Sequence, residues 1–226
     1  MAQLSMVQSR LLELSSALAR YKSTKQRSQS VVPAADETRL NVTVGSDAAC
    51  FSVQELFGLT GQVSEILDQL YNAGIVQDES RVMDETDPGN SMFVLSIYVR
   101  LLDMYQRVFT LVRSELSQSD ANTAFKFWKL PDVSVGSFAV NSSPFLQMSL
   151  TMQLAEEFLS RLRASTSALY KMVSRADSGS ATGVQKGEEM FAGIVSASFQ
   201  ALQAREESLR KYLSDVRADI EALLDS

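Results

Sequence analysis

The chain has 226 residues, of which 45% are apolar and 21% are charged, and this balance is ordinary for a protein with one folded core. Its net charge of −6 repels phosphate backbones, so no direct nucleic-acid binding is expected of these residues. There is one cysteine, Cys50, and no histidine. Zinc, copper and haem sites need imidazole or thiolate ligands, so the sequence predicts no metal and no cofactor, and it excludes a histidine base.

The first predicted element is a helix over residues 1–21, followed by a linker over residues 22–50. A helix packed on its own domain and a short dimerising coiled coil both fit its apolar stripe, and the short length of the stripe favours the first. From Lys22 onward the chain is basic and polar and includes Pro33, and this composition predicts the linker. The stripe alternates steps of three and four at Leu4, Val7, Leu11, Leu14, Leu18 and Tyr21.

A helical core is predicted over residues 51–175, organised around a central helix at about 91–116. The sequence of this helix, SMFVLSIYVRLLDMYQRVFTLVRSEL, is apolar around most of the helix circumference. That distribution is typical of a helix buried on several sides. The predicted fold class is therefore all-α, a helical bundle that forms a single domain over residues 1–226.

Local signals place the other elements of this core. Ser52 and Glu55 have the spacing of a capping box, and Ser143 with Pro144 marks a second helix start. Between the helices, LPDVSVGSFAV at about 130–140 alternates apolar residues around a glycine. This pattern predicts one short extended connector that crosses the helices.

A linker over residues 176–187 and a long amphipathic helix over residues 188–226 complete the predicted order. Apolar residues fill successive heptad positions of this helix, and Glu206 is the polar exception. Such a stripe either binds a partner, in another protein or a second copy of the chain, or lies along the bundle. The candidate interaction residues are Leu209, Leu213, Val216 and Ile220.

The sharpest polar cluster lies on the central helix, where Arg100, Asp103 and Arg107 follow one line. Three charges in the most apolar window argue against a membrane span. The cluster fits a pocket for a small apolar effector, or an intrahelical salt-bridge strip at the solvent edge. The helical spacing favours the salt-bridge strip.

No motif in the sequence demands an enzyme. GxGxxG, GxxxxGK[ST], GxSxG and HExxH are all absent from the 226 residues, so the common phosphate-binding and hydrolase sites are not predicted. The alternatives are a non-catalytic scaffold and a cofactor-free cyclase or isomerase with an apolar pocket. The groups available to such an enzyme are Tyr98, Tyr105, Asp103 and Arg100.

Three segments taken together resemble a known family: SMFVLSIYVRLLDMYQRVF, LPDVSVGSFAV and SSPFLQMSLTMQLAEEFLSRL. Their order is similar to the C-terminal regulatory region of fungal binuclear zinc-cluster transcription factors, especially the aflatoxin-regulator type that controls secondary-metabolite gene clusters. The resemblance covers roughly residues 50–175. It implies a regulator of such a cluster, located in the nucleus or alternatively in the cytoplasm. The implied mechanism is a protein partner, self-association through the C-terminal helix, or a small apolar effector.

The part that defines this family does not occur in these residues. A binuclear zinc cluster is held by six cysteines that present a helix to DNA. The chain has only Cys50, so the zinc and DNA-binding roles carry over to no residue. A fragment of a longer regulator and a free-standing regulatory domain both fit this composition.

Overall fold

The computed structural model describes residues 2–30, 51–76, 88–116, 134–135, 138–139, 144–178 and 186–224. Five helices account for nearly all of the described residues, so the predicted all-α helical bundle is confirmed. In chain order the helices are α1 (Ala2–Ser30), α2 (Val53–Val76), α3 (Pro88–Leu116), α4 (Pro144–Ser178) and α5 (Lys186–Leu224).

Helix α3 is the buried centre that its sequence predicts. Among the described residues it contributes the largest share of the apolar core, and it packs against α1 on one side and α5 on another. Tyr98, Leu101, Tyr105 and Phe109 are completely inaccessible to solvent. Removal of this surface from water is the main force that holds the helices together.

Helix α1 packs its apolar stripe, from Leu4 to Leu18, against α2 and α3 of the same chain. Helix α1 is longer than predicted, because it continues to Ser30, so the linker prediction is wrong for residues 22–30. No glycine or proline occurs between Tyr21 and Pro33, and lysine, glutamine and arginine favour helix. The remaining predicted linker, residues 31–50, lies outside the described residues.

The start of α2 forms half of the predicted capping box and also joins α2 to α1. The backbone amide of Glu55 donates to Ser52 Oγ across 3.4 Å. The Glu55 carboxylate does not complete the box, because it accepts a hydrogen bond of 2.6 Å from Arg10 of α1. Helix α2 then packs against α4, and Asp68 accepts a 2.7 Å hydrogen bond from Ser165.

The predicted extended connector at about 130–140 includes two short strands that pair with each other. β1 (Ser134–Val135) and β2 (Phe138–Ala139) are antiparallel, with Val135 opposite Phe138. The apolar alternation on the two sides of Gly136 therefore belongs to two short strands that pair with each other. The rest of this segment lies outside the described residues.

The second predicted linker, residues 176–187, is shorter than expected. Helix α4 continues to Ser178 and α5 begins at Lys186, which leaves 179–185 outside the described residues. Helix ends are the least certain feature of a sequence-based prediction, and these differ by two or three residues. Within the described parts of the chain, no helix is both long and apolar enough to cross a membrane.

Helix α5 directs its stripe inward against α3 and α4. The four predicted interaction residues are between 0% and 2% exposed, so they are core residues of this conformation. They do not form a free surface, and partner binding through the stripe stays a prediction. These residues are Leu209, Leu213, Val216 and Ile220.

Candidate functional site

A groove of about 500 Å³ lies between α4 and α5, with Leu102 of α3 at its floor. Leucines from all three helices give it an apolar base, and charged residues of α4 and α5 form its walls. We call this feature the α4–α5 groove. Its lining is Leu102, Gln153, Glu156, Glu157, Leu159, Ser160, Arg163, Glu206, Leu209, Arg210, Leu213 and Ser214.

Glu206 is the least expected member of this lining. It stands in the heptad stripe of α5, whose other members are apolar, and its side chain is only 11% exposed. Tyr98 of α3, which is fully buried, donates its hydroxyl hydrogen to Glu206 Oε1. Glu206 Oε2 lies 3.4 Å from Nε of Arg163, and it has no hydrogen-bond donor among the described residues.

Burial shifts the pKa of both members of this pair. It raises the pKa of Tyr98, and the hydrogen bond and charge of Glu206 raise it further, so the phenol stays protonated. Burial also raises the pKa of Glu206, while Tyr98, Arg163 and Arg210 oppose that shift by favouring the charged form. The Glu206 carboxyl group in the groove is therefore protonated more readily than a carboxyl group in water.

The predicted polar cluster of α3 lies away from the α4–α5 groove, where its side chains contact α1 and α5. Asp103 forms an ion pair with Arg205 of α5, and Arg107 donates to Ser15 of α1 across 3.4 Å. The intrahelical salt-bridge strip favoured by the spacing is therefore wrong: the described contacts of Asp103 and Arg107 join neighbouring helices. The same residues with Arg100 line a depression of about 100 Å³, smaller than a typical ligand site.

The ion pair of Asp103 and Arg205 is expected to contribute little to stability. Its side chains are 38% and 46% exposed, so water and salt screen their attraction. We expect Asp103→Asn to lower the free energy of unfolding by about 0.2–1 kcal/mol, and by less in 0.5 M NaCl. Urea denaturation at two salt concentrations measures this, with Arg205→Gln and the double variant as controls. A loss above about 2 kcal/mol, or one independent of salt, would contradict it.

The groups suggested for an enzyme do not converge. Tyr98 and Tyr105 are both buried in the core, and the hydroxyl group of Tyr105 lies 3.0 Å from that of Thr60. Asp103 and Arg100 lie at the other depression, away from the α4–α5 groove. Within the described ranges, no group of three or more acidic or cysteine side chains is placed to hold a metal ion.

Sequence reasoning missed the α4–α5 groove as a site. Its one visible signal was Glu206, the polar residue in an apolar heptad stripe. Arg163, Arg210 and Ser160 carried no signal, because polar residues occur at similar spacing along the sequences of α4 and α5. The pairing of Tyr98 with Glu206 joins residues 108 positions apart, which periodicity within one helix cannot reveal.

Comparison with known proteins identifies the family. Over 185 residues the chain is 25% identical to the isoflavipucine cluster transcription factor of Aspergillus terreus (strain NIH 2624 / FGSC A1156). This match covers 75% of the chain but only 43% of that relative, so the chain corresponds to less than half of it. No solved structure matches the chain. The CcsR C-terminal domain matches residues 1–224, which confirms the resemblance to the C-terminal region of cluster regulators. The chain therefore belongs to the CcsR C-terminal domain family.

Proposed function

We propose that this chain is the regulatory region of a transcription regulator that controls a fungal secondary-metabolite gene cluster. The family match over residues 1–224 is the observation that carries the proposal. The similarity to a cluster transcription factor supports the same role. A regulator of transcription acts in the nucleus, so we propose that location for the chain.

Regulation would occur through binding of a partner or an effector. These residues contain one cysteine and carry a net charge of −6, so they can neither build a binuclear zinc cluster nor attract a phosphate backbone. Helical surfaces and the α4–α5 groove are what the fold offers to other molecules. DNA contact in such a regulator would be made by other residues than these, or by a protein partner.

Deletion of the gene tests this function most directly. We expect transcripts of the neighbouring biosynthetic genes to change severalfold, because a regulator acts before the enzymes are made. Quantitative RNA sequencing of the deletion strain, and of the same strain complemented with the gene, measures the effect. Reversal by the complementing gene excludes damage to neighbouring promoters.

The same strains separate the other function classes. A cofactor-free enzyme would alter the metabolite while the neighbouring transcripts stay at their normal level. A scaffold with no regulatory role would leave those transcripts unchanged as well. Either result contradicts the proposal, and a fluorescent fusion excluded from nuclei would contradict the proposed location.

A further inference from the structure

We infer that the α4–α5 groove binds a small, neutral molecule with an apolar ring body and a hydroxyl group that donates to Glu206. Only the regulatory meaning of this site rests on the proposed function, because binding itself is a property of the groove. The inference depends on four features: the size of the groove, its apolar floor, its incompletely satisfied carboxylate and its lack of excess positive charge.

The dimensions of the groove suit a small organic molecule. Its volume of about 500 Å³ lies within the range of roughly 300–1,000 Å³ that is typical of ligand pockets. Leu159, which is partly exposed, supplies apolar surface for a ring system, and three leucines that are 1–2% exposed form the floor beneath it, while polar groups stand at the walls. This combination of an apolar base with a few polar groups is usual in ligand sites. The leucines are Leu102, Leu159, Leu209 and Leu213.

The carboxylate of Glu206 supplies the specific contact. Tyr98 satisfies Oε1, whereas Oε2 is buried and accepts no hydrogen bond from the described residues. A buried polar atom without a donor is costly, and an apolar residue at this heptad position would pack without that cost. Oε2 is inaccessible to solvent and lies 3.4 Å from Nε of Arg163, whose side chain is 39% exposed. A ligand hydroxyl group would give Oε2 the missing donor when the Arg163 side chain turns toward solvent.

The charges around the groove disfavour an anionic occupant. Three carboxylates line it, from Glu156, Glu157 and Glu206, together with the guanidinium groups of Arg163 and Arg210. Arg217, from just outside the lining, lies 3.5 Å from Glu156 but also forms an ion pair of 3.1 Å with Glu221. An anionic ligand would therefore meet no excess of positive charge. Arg210 is exposed at the wall and can donate to a carbonyl oxygen of the ligand.

A matched pair of ring compounds tests the inference. 6-Hydroxy-1-indanone carries a hydroxyl donor and a carbonyl acceptor on a neutral bicyclic body, and 6-methoxy-1-indanone differs by lacking the donor. Each would be titrated into the full chain with ¹³C-labelled leucine methyl groups and followed by NMR. We expect saturable shifts at the four groove leucines with the hydroxyl compound, with a Kd on the order of 1 mM for so small a ligand. The methoxy compound should bind about tenfold more weakly.

Variants of the groove decide whether Glu206 accepts the hydrogen bond. Glu206→Gln keeps an acceptor for Tyr98 but loses the charge, so the hydroxyl compound should bind about tenfold more weakly while the methoxy compound is unaffected. Ser160→Trp should fill the groove and abolish both. Ser208→Trp, exposed on α5 outside the lining, is the matched control and should change neither affinity.

Several outcomes would overturn the inference. These are equal affinity for the two indanones, shifts that never saturate, shifts spread over leucines outside the groove, and binding that survives Ser160→Trp. Preserved leucine spectra of the free variants establish that each one is folded. If binding fails while the gene deletion still changes neighbouring transcripts, this effector site is wrong and the regulatory function stands. If binding succeeds with unchanged transcripts, the proposed function is the part that fails.

Discussion

Replacing Phe109 with alanine is expected to lower the free energy of unfolding by about 3–5 kcal/mol, a large share of a typical domain's stability. Phe109 lies on the central helix α3 and is completely buried. Its ring is stacked 6.3 Å from that of Tyr105, which in turn lies 6.2 Å from Phe57 of α2. The substitution removes both apolar area and the aromatic contact, and the surrounding helices can close the cavity only in part.

Chemical denaturation followed by circular dichroism at 222 nm measures this loss. The neighbouring residue Thr110 provides the matched control, since it is exposed on the same turn of α3. Thr110→Ala should change the free energy of unfolding by no more than about 0.5 kcal/mol. A loss below about 1.5 kcal/mol for Phe109→Ala would mean that α3 is not the buried centre of the bundle.

Helix positions and buried faces could be predicted from sequence because they follow from local periodicity. The apolar residues of α1 and α3 recur within one helix, and burial selects for that recurrence. The Ser143-Pro144 start of α4 is likewise local, because it depends on two adjacent residues. The extension of α1 to Ser30 was missed because polar composition resembles that of a linker. Helix propensity and the absence of glycine and proline had the larger effect over residues 22–30.

The candidate site could not be predicted, because it depends on which helices lie side by side. The sequence spacing of Asp103 pointed to Arg100 and Arg107, whereas its partner is Arg205, 102 positions away. Likewise Glu206 was visible as an exception in the stripe of α5, but its partner Tyr98 is on α3. Contacts of this kind are set by the tertiary arrangement, which a one-dimensional pattern does not contain.

The position of Glu206 links stability to the proposed binding site. In the heptad stripe of α5 a leucine would be the simpler residue, yet a carboxylate is held there between Tyr98 and Arg163. A residue that costs stability in the free chain can contribute to affinity when a ligand supplies the missing donor. The stability of Tyr98 and Glu206 variants therefore measures the cost that the ligand would offset.

Replacing Tyr98 with phenylalanine should lower the free energy of unfolding by about 1.5–3 kcal/mol at pH 7, because a buried carboxylate loses its hydrogen-bond donor. Burial raises the pKa of Glu206, so the folded chain holds this proton more tightly than the unfolded chain. The resulting stabilisation is complete below the unfolded pKa and is lost as the pH rises through the folded pKa. The hydrogen bond from Tyr98 lowers the pKa of Glu206. Tyr98→Phe should therefore raise that pKa further and enlarge the loss of stability as the pH rises.

Denaturation at pH 4 and pH 7 distinguishes this effect from ordinary loss of packing. Tyr105→Phe is the matched control, because its hydroxyl lies 3.0 Å from the neutral Thr60. It should cost about 1 kcal/mol at both pH values, whereas the cost of Tyr98→Phe should fall toward that figure at pH 4. The double variant Tyr98→Phe/Glu206→Leu removes both polar groups and should be at least as stable as the natural chain at pH 7. Equal costs of Tyr98→Phe at the two pH values, or a double variant no more stable than Tyr98→Phe alone, would show that Glu206 is not a buried charge dependent on Tyr98.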